Sequence, residues 1–133
     1  MSINYEIILE KYTKKHHIKD FKAKYKKAWN MTYNVILKML QNLSNFLTTS
    51  KANIIKENTN YKIVKCEFNI VWTNVSTKNS GNRYVIFVDR NKKIIKILLI
   101  YHKWHIPKNK KETVWWKDEI RSNYKDICKL LEF

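Results

Sequence analysis

The sequence contains very few of the residues from which several common active sites are built. Among its 133 residues there are one glycine, one proline and two cysteines. A single glycine excludes the glycine-rich loops that hold the phosphates of ATP or of a dinucleotide. Two isolated cysteines, Cys66 and Cys128, are too few for a disulfide framework or a zinc site, and we expect both to be reduced and packed as small apolar residues.

Acidic residues are scarce as well. The chain has 11 Asp and Glu against 27 Lys and Arg, which gives a formal net charge of +16. The excess lies in residues 1–111, with 23 basic and 6 acidic residues, whereas residues 112–133 hold 4 basic and 5 acidic residues. So few carboxylates argue against a magnesium-dependent nuclease, and we expect neither a metal nor a small-molecule cofactor. The positive field favours a polyanionic partner, although AT-rich coding also enriches Lys, Asn and Ile without any such partner.

Apolar periodicity predicts a single α+β domain over residues 1–133, in the order β-α-α-β-β-β-α. We expect a small antiparallel sheet with an N-terminal helical hairpin and a C-terminal helix. No hydrophobic run reaches the length of a membrane span and the N-terminus lacks a signal-peptide pattern, which predicts a cytoplasmic protein without a membrane partner. The predicted elements are a strand at 3–10, helices within 16–47 that break near Asn30, strands at 62–72, 83–89 and 94–102, and a helix at 112–131, with 48–60 as a connection.

The last predicted strand ends in an unusually polar segment, LLIYHKWHI at 98–106. His102, Lys103 and His105 follow four apolar or aromatic residues there. The predicted hairpin partner of this strand, which precedes it in the chain, begins at Arg83. In an antiparallel hairpin the start of the first strand lies beside the end of the second. We therefore expect Arg83 and His102 to be near neighbours.

This set of residues suits cleavage of RNA by its own 2′-OH group. Such a reaction needs a base for the 2′ proton, an acid for the leaving oxygen, and cations that stabilise the phosphorane. Aromatic rings stack on unpaired bases. The catalytic candidates are Arg83, His102, Lys103 and His105, and the substrate-binding candidates are Lys65, Tyr84, Tyr101 and Trp104.

Simpler interpretations exist for each candidate. Strand-end histidines are commonly solvated groups without a catalytic role, and Tyr84 and Tyr101 are equally typical of half-buried strand aromatics. We assign His16 and His17, at a helix start among lysines, to the non-catalytic class. Trp115 and Trp116 are adjacent on a helix, so we expect one of them to pack and the other to cover the sheet edge or meet a partner.

Five segments together resemble the RelE/ParE superfamily of toxin–antitoxin toxins. They are YEIIL, KDFKAKYKK, YKIVKCEFNIVW, NRYVIFVD and IIKILLIYHKWHI, and they span most of residues 4–106. The resemblance implies a small sheet flanked by helices and one of two activities, cleavage of mRNA in the ribosomal A site or inhibition of DNA gyrase. It also implies a cognate antitoxin protein as partner, alongside mRNA and the ribosome.

The resemblance carries over to individual positions. Arg83 matches the basic residue of the first hairpin strand, and His102 with Lys103 matches the basic end of the last strand. Lys65 matches the basic residues of the preceding strand, and Trp104 and His105 match an aromatic or histidine beyond the strand end. The chain departs from the pattern in its long 73–82 loop and in Tyr101, where many relatives have glycine.

The function predicted from the sequence is thus a metal-independent endoribonuclease toxin that cleaves mRNA and inhibits translation. Two alternatives remain open. One is a non-catalytic basic binder, such as a gyrase-directed ParE-like toxin or a nucleic-acid-binding module. The other is a decayed enzyme that survives as an antitoxin-binding or regulatory protein.

Overall fold

The computed structural model describes residues 4–133 and confirms the α+β class. Its five strands form one sheet in the order β1-β5-β4-β3-β2. β1 runs parallel to β5 and the other neighbouring pairs are antiparallel, so the sheet is mixed where a wholly antiparallel one was expected. The predicted first strand began at Ile3, which lies outside the described residues. The strands are β1 Glu6–Leu9, β2 Ala52–Glu57, β3 Tyr61–Glu67, β4 Asn82–Asp89 and β5 Ile94–His102.

Helices pack on one face of the sheet as the predicted hairpin. The first arm begins with α1 (Lys11–Thr13), passes through a π-helical segment (Lys14–Ile18) and ends with α2 (Lys19–Tyr25). The second arm consists of α3 (Lys27–Gln41) and α4 (Leu43–Phe46). The predicted apolar stripe is confirmed, with Phe21, Thr32, Ile36, Leu40 and Leu43 buried against the sheet.

The hairpin turns at Lys26, not near Asn30 as expected. Lys26 has a φ of 52°, and its conformation separates α2 from α3. Glycine is the usual residue for a positive φ, and this chain has one glycine. The break therefore has no compositional signal at its true position.

The expected connection at 48–60 is wrong, because residues Ala52–Glu57 form the edge strand β2. β2 pairs only with β3, and its register shifts between Ile54 and Lys56. An edge strand with an irregularity is exposed over most of its length, so it lacks the alternation that reveals a half-buried strand.

The predicted strand at 62–72 is shorter than expected and ends at Glu67. Phe68 and Ile70 continue into the core as irregular chain, whereas Trp72 is 71% exposed with a φ of 68°. The long loop predicted at 73–82 therefore begins earlier, directly after β3.

Two helices cover the opposite face of the sheet, α5 (Glu112–Asn123) and α6 (Lys125–Leu131), where one was expected. They separate at Tyr124, which has a φ of −134° and a ψ of 54°. Both Trp115 and Trp116 are buried, contrary to expectation, because Trp115 packs on Tyr101 and Trp116 packs near Phe133. Within residues 4–133, no helix is both long and apolar enough to cross a membrane.

Candidate functional site at the ends of the central strands

The register of the β4–β5 hairpin decides how the candidate residues meet. Arg83 pairs with Tyr101, and Asn82 pairs with His102. Side chains of successive strand residues project to opposite faces. Arg83 and His102 therefore lie at the same end of the sheet but on opposite faces, and the expected juxtaposition of their side chains is wrong by one residue of register.

Arg83 is buried, with 6% of its surface exposed, and it anchors the loop between β3 and β4. Its Nη1 donates to the carbonyls of Thr77 (3.2 Å) and Asn82 (2.9 Å), and its Nη2 donates to the carbonyl of Lys78 (2.9 Å). Bidentate recognition of a phosphate requires two of these donors. In this conformation the Nη groups of Arg83 hold the loop instead.

On the same face, Glu112 at the start of α5 accepts hydrogen bonds from side chains of two strands. Lys65 Nζ lies 2.9 Å from Glu112 Oε2, and the Tyr101 hydroxyl donates to the same oxygen at 2.9 Å. Arg83 Nε lies 3.9 Å from it. Burial by itself raises the pKa of Glu112, but the hydrogen bonds from Lys65 and Tyr101 and the charges of Lys65 and Arg83 outweigh burial and hold that pKa below its ordinary value.

On the other face, His102 closes the turn that follows β5. The Trp104 N–H donates to His102 Nδ1 at 3.1 Å, and His102 Nε2 lies 3.0 Å from the Ser80 carbonyl. A carbonyl only accepts, so Nε2 carries the proton and the ring is neutral. Burial first, and the charges of Lys24, His105 and Lys103 after it, lower the pKa of His102 against the effect of the Ser80 carbonyl.

The only glycine lies against this ring. Gly81 has a φ of +76°, and a Cβ added there would stand 2.9 Å from His102 Nε2. The position needs glycine both for its backbone conformation and for the close approach of the imidazole.

His105 completes the same turn from its other end. His105 Nδ1 accepts the His102 N–H at 2.9 Å, and its Nε2 lies 3.1 Å from Asp20 Oδ2. Burial lowers the pKa of His105, and the hydrogen bond and negative charge of Asp20 act in the opposite direction. We call the paired rings of His102 and His105 the histidine clasp, because each accepts a backbone N–H of the segment from His102 to His105.

His17, which was assigned with His16 to the non-catalytic class, is buried beside the histidine clasp. Only 5% of its surface is exposed, and its ring lies 4.9 Å from that of His105 and 6.0 Å from that of Trp115 between centroids. Burial, with the neighbouring His105 and His16, lowers the pKa of His17 to about 4. His16 is exposed as expected and stacks on Tyr12 at 4.3 Å.

Most of the aromatic rings expected to stack on bases are buried. Tyr84 lies in the core beside Phe46 and Phe68, and Tyr101 lies beneath Trp115, both with 0% exposure. Trp104 is the accessible member of the predicted set, at 41% exposure, with Lys24 Nζ 4.1 Å from its ring.

Sequence reasoning missed the two acidic residues of the site. Glu112 accepts a hydrogen bond from Tyr101, which is 11 positions away in the chain, and Asp20 accepts one from His105, which is 85 positions away. Their signal was their rarity in a basic chain, since a buried cation needs an acidic partner. Among the described residues, no group of three or more His, Cys, Asp or Glu side chains is arranged to hold a metal ion.

The sequence matches no protein-family model, and no curated protein is significantly similar to it. Among solved structures, it is similar to a chain of the archaeal RelE–RelB complex from Pyrococcus horikoshii OT3, with a TM-score of 0.55 and 12% sequence identity. The match covers 76% of this chain and 97% of the other. The fold is RelE-like. The resemblance drawn from the sequence segments is therefore confirmed for the fold, and 12% identity carries it no further.

Proposed function

We propose that the protein is the toxin of a toxin–antitoxin system and that it inhibits translation by cleaving mRNA on the ribosome. A RelE-like fold with a net charge of +16 is the observation that supports this proposal. A positive surface attracts RNA and accelerates association with it. At the end of the central strands, Lys65 and Arg83 lie on one face of the sheet, and His102 lies on the other face beside His105.

The proposed reaction is attack of a 2′-OH on the adjacent phosphorus. His102 or His105 takes the 2′ proton, because the lowered pKa of each ring keeps it neutral at pH 7 and a neutral imidazole accepts a proton. Lys103, exposed between them, stabilises the phosphorane, and the imidazolium formed in the first step gives its proton to the leaving 5′ oxygen. Arg83 takes no part from its present position, because it lies buried on the opposite face with its Nη groups bound to the carbonyls of the loop.

Substrate binding uses the remaining predicted residues that reach solvent. Trp104 stacks on an unpaired base beside Lys24, and Lys65 holds the backbone on the opposite face. Tyr84 and Tyr101 have no stacking role in this proposal, since both rings are fully buried.

One observation favours a second candidate function. Both Nδ1 atoms of the histidine clasp accept backbone N–H groups, so catalysis requires RNA to open the clasp. A non-catalytic basic binder, directed to nucleic acid or to gyrase, needs no such opening. The two functions differ in whether mRNA is cut.

We further propose an antitoxin as protein partner. The similar solved structure is a RelE–RelB complex, and the large positive charge of this chain favours an acidic partner segment. Co-expression of a small acidic protein encoded beside this gene should relieve growth arrest, and relief should fail with an unrelated acidic protein of equal size.

The proposed cleavage is tested by inducing the protein in cells and following growth and mRNA integrity. Wild type should arrest growth with fragmented mRNA, and His102→Ala and Lys103→Ala should do so weakly or not at all. His16→Ala is the matched control, because His16 is an exposed histidine outside the site.

Each other outcome has a defined meaning. If both site variants remain as toxic as wild type and still cut mRNA, the site assignment is wrong. Growth arrest with intact mRNA supports the binder, and altered plasmid supercoiling in the same cells identifies gyrase as its target. Circular dichroism of each purified variant confirms that it is folded.

A further inference from the structure

Three donors on neighbouring strands face one carboxylate oxygen. Lys65 of β3, Arg83 of β4 and Tyr101 of β5 lie on the face of the sheet covered by α5, and we call this set the anion site. Lys65 Nζ and the Tyr101 hydroxyl each lie 2.9 Å from Glu112 Oε2. The Nε of Arg83 lies 3.9 Å from the same atom.

This geometry suits an anionic oxygen of any source. Two cations and a hydroxyl arranged around one oxygen are the donors that proteins use for phosphate as well as for carboxylate. The cations are buried enough to bind strongly, since the side chains of Lys65 and Arg83 are 22% and 7% exposed. Removing their anion without replacing it leaves buried charge unpaired, so the anion site is occupied either by Glu112 or by a ligand.

The segment that carries Glu112 is lightly attached to the sheet. Thr113 and Val114, the next residues of the first turn of α5, are exposed, and the exposed fraction of Val114 is 50%. The apolar anchor of the helix begins only at Trp115, which is 6% exposed. The first turn can therefore unwind without exposing the helix core, and the exposed residues 107–111 before it allow the movement.

We propose that the anion site binds a phosphodiester group of a single-stranded nucleic acid and that Glu112 occupies the site until the ligand displaces it. The inference rests on the proposed function in taking RNA as the natural ligand. Glu112 then acts as an intramolecular competitor, which lowers the apparent affinity of the protein for nucleic acid.

The test is binding of a short fluorescein-labelled single-stranded DNA, followed by fluorescence anisotropy at constant ionic strength. Glu112→Gln should tighten binding by roughly tenfold, because the ligand no longer has to displace a charged group. Asp118→Asn is the matched control: it makes the same change of net charge on an exposed residue of α5 and should shift the affinity by no more than about twofold.

Adding Lys65→Gln to Glu112→Gln should abolish the gain, because it removes a donor of the anion site. Equal shifts for Glu112→Gln and Asp118→Asn, or a gain that persists without Lys65, would overturn the proposal. DNA has no 2′-OH, so the result does not depend on cleavage, and RNA fragmentation measured in parallel shows separately whether the proposed function holds.

A second measurement needs no variant. In the wild-type protein the Trp115 N–H donates to the Lys111 carbonyl at 3.0 Å, which closes the first turn of α5. Saturating the protein with the DNA should accelerate hydrogen exchange at this amide if the turn opens. An unchanged or slower exchange rate at Trp115 in the complex would contradict displacement of Glu112.

Discussion

Replacing Gly81 by alanine should destabilise the fold through the ring of His102. Gly81 has a φ of +76°, and the added Cβ would lie 2.9 Å from His102 Nε2, which donates to the Ser80 carbonyl at 3.0 Å. The new methyl group cannot remain while the imidazole keeps that hydrogen bond. Alanine should therefore carry two costs, one from the backbone and one from the displaced ring.

The magnitude follows from these two contributions. A left-handed conformation costs a residue with a Cβ about 1–2 kcal/mol, and loss of one intramolecular hydrogen bond costs about 1 kcal/mol. The sum is about 2–3 kcal/mol of unfolding free energy. For a domain of this size that should lower the melting temperature by roughly 6–15 °C.

A double-mutant cycle with His102→Ala separates the two contributions. The free energy of unfolding is measured by urea denaturation for wild type, both single variants and the double variant. In the His102→Ala background, Gly81→Ala should cost only its backbone part, so a coupling of about 1 kcal/mol is expected. If Gly81→Ala costs the same in both backgrounds, the ring does not lie against Gly81 and the clasp geometry is wrong.

Three further predictions concern buried groups. The pKa of His17 is about 4 in the folded state and 6.5 ordinarily, so the unfolded chain binds more protons than the folded one between these two values. The free energy of unfolding should therefore be highest above pH 6.5 and fall by about 3 kcal/mol as the pH drops to 4. Urea denaturation at a series of pH values measures this fall, which His17→Gln should abolish and His16→Gln should not. Asp20→Asn should lower the pKa of His105 further, because the carboxylate raises it, and NMR titration of the imidazole measures this shift. Trp116→Ala should lower the free energy of unfolding by about 3–5 kcal/mol in urea denaturation, because its ring is 1% exposed in the apolar cluster between the sheet and helices α5 and α6.

The parts of the fold that were predicted correctly are those with a long, regular set of buried apolar residues. β4 and β5 lie in the middle of the sheet between two helical layers, and their apolar runs with polar turns identified the hairpin. β2 was not predicted, because an edge strand with a register shift buries no regular set of side chains. The helix break at Lys26 was not predicted, because its backbone conformation depends on packing between α2 and α3 rather than on residue type.

The candidate site was located correctly at the strand ends but not resolved into its two faces. A single residue of register places Arg83 opposite Tyr101 instead of His102, and hydrophobic patterns do not determine register at a polar strand end. The roles of Glu112 and Asp20 were not predicted either, since both residues reach the site from helices and not from the strands that carry the predicted residues. Burial of His17 follows from the π-helical segment, whose wider turn directs that ring inward.

We propose that this protein cleaves mRNA by attack of the 2′-OH on the neighbouring phosphate. The most direct measurement is the chemical identity of the ends of mRNA fragments recovered after induction of the protein. Wild type should leave 2′,3′-cyclic phosphates paired with 5′-hydroxyl ends, and these ends should be absent in cells that express His102→Ala. Intact mRNA during growth arrest, or fragments with 3′-hydroxyl and 5′-phosphate ends, would contradict it.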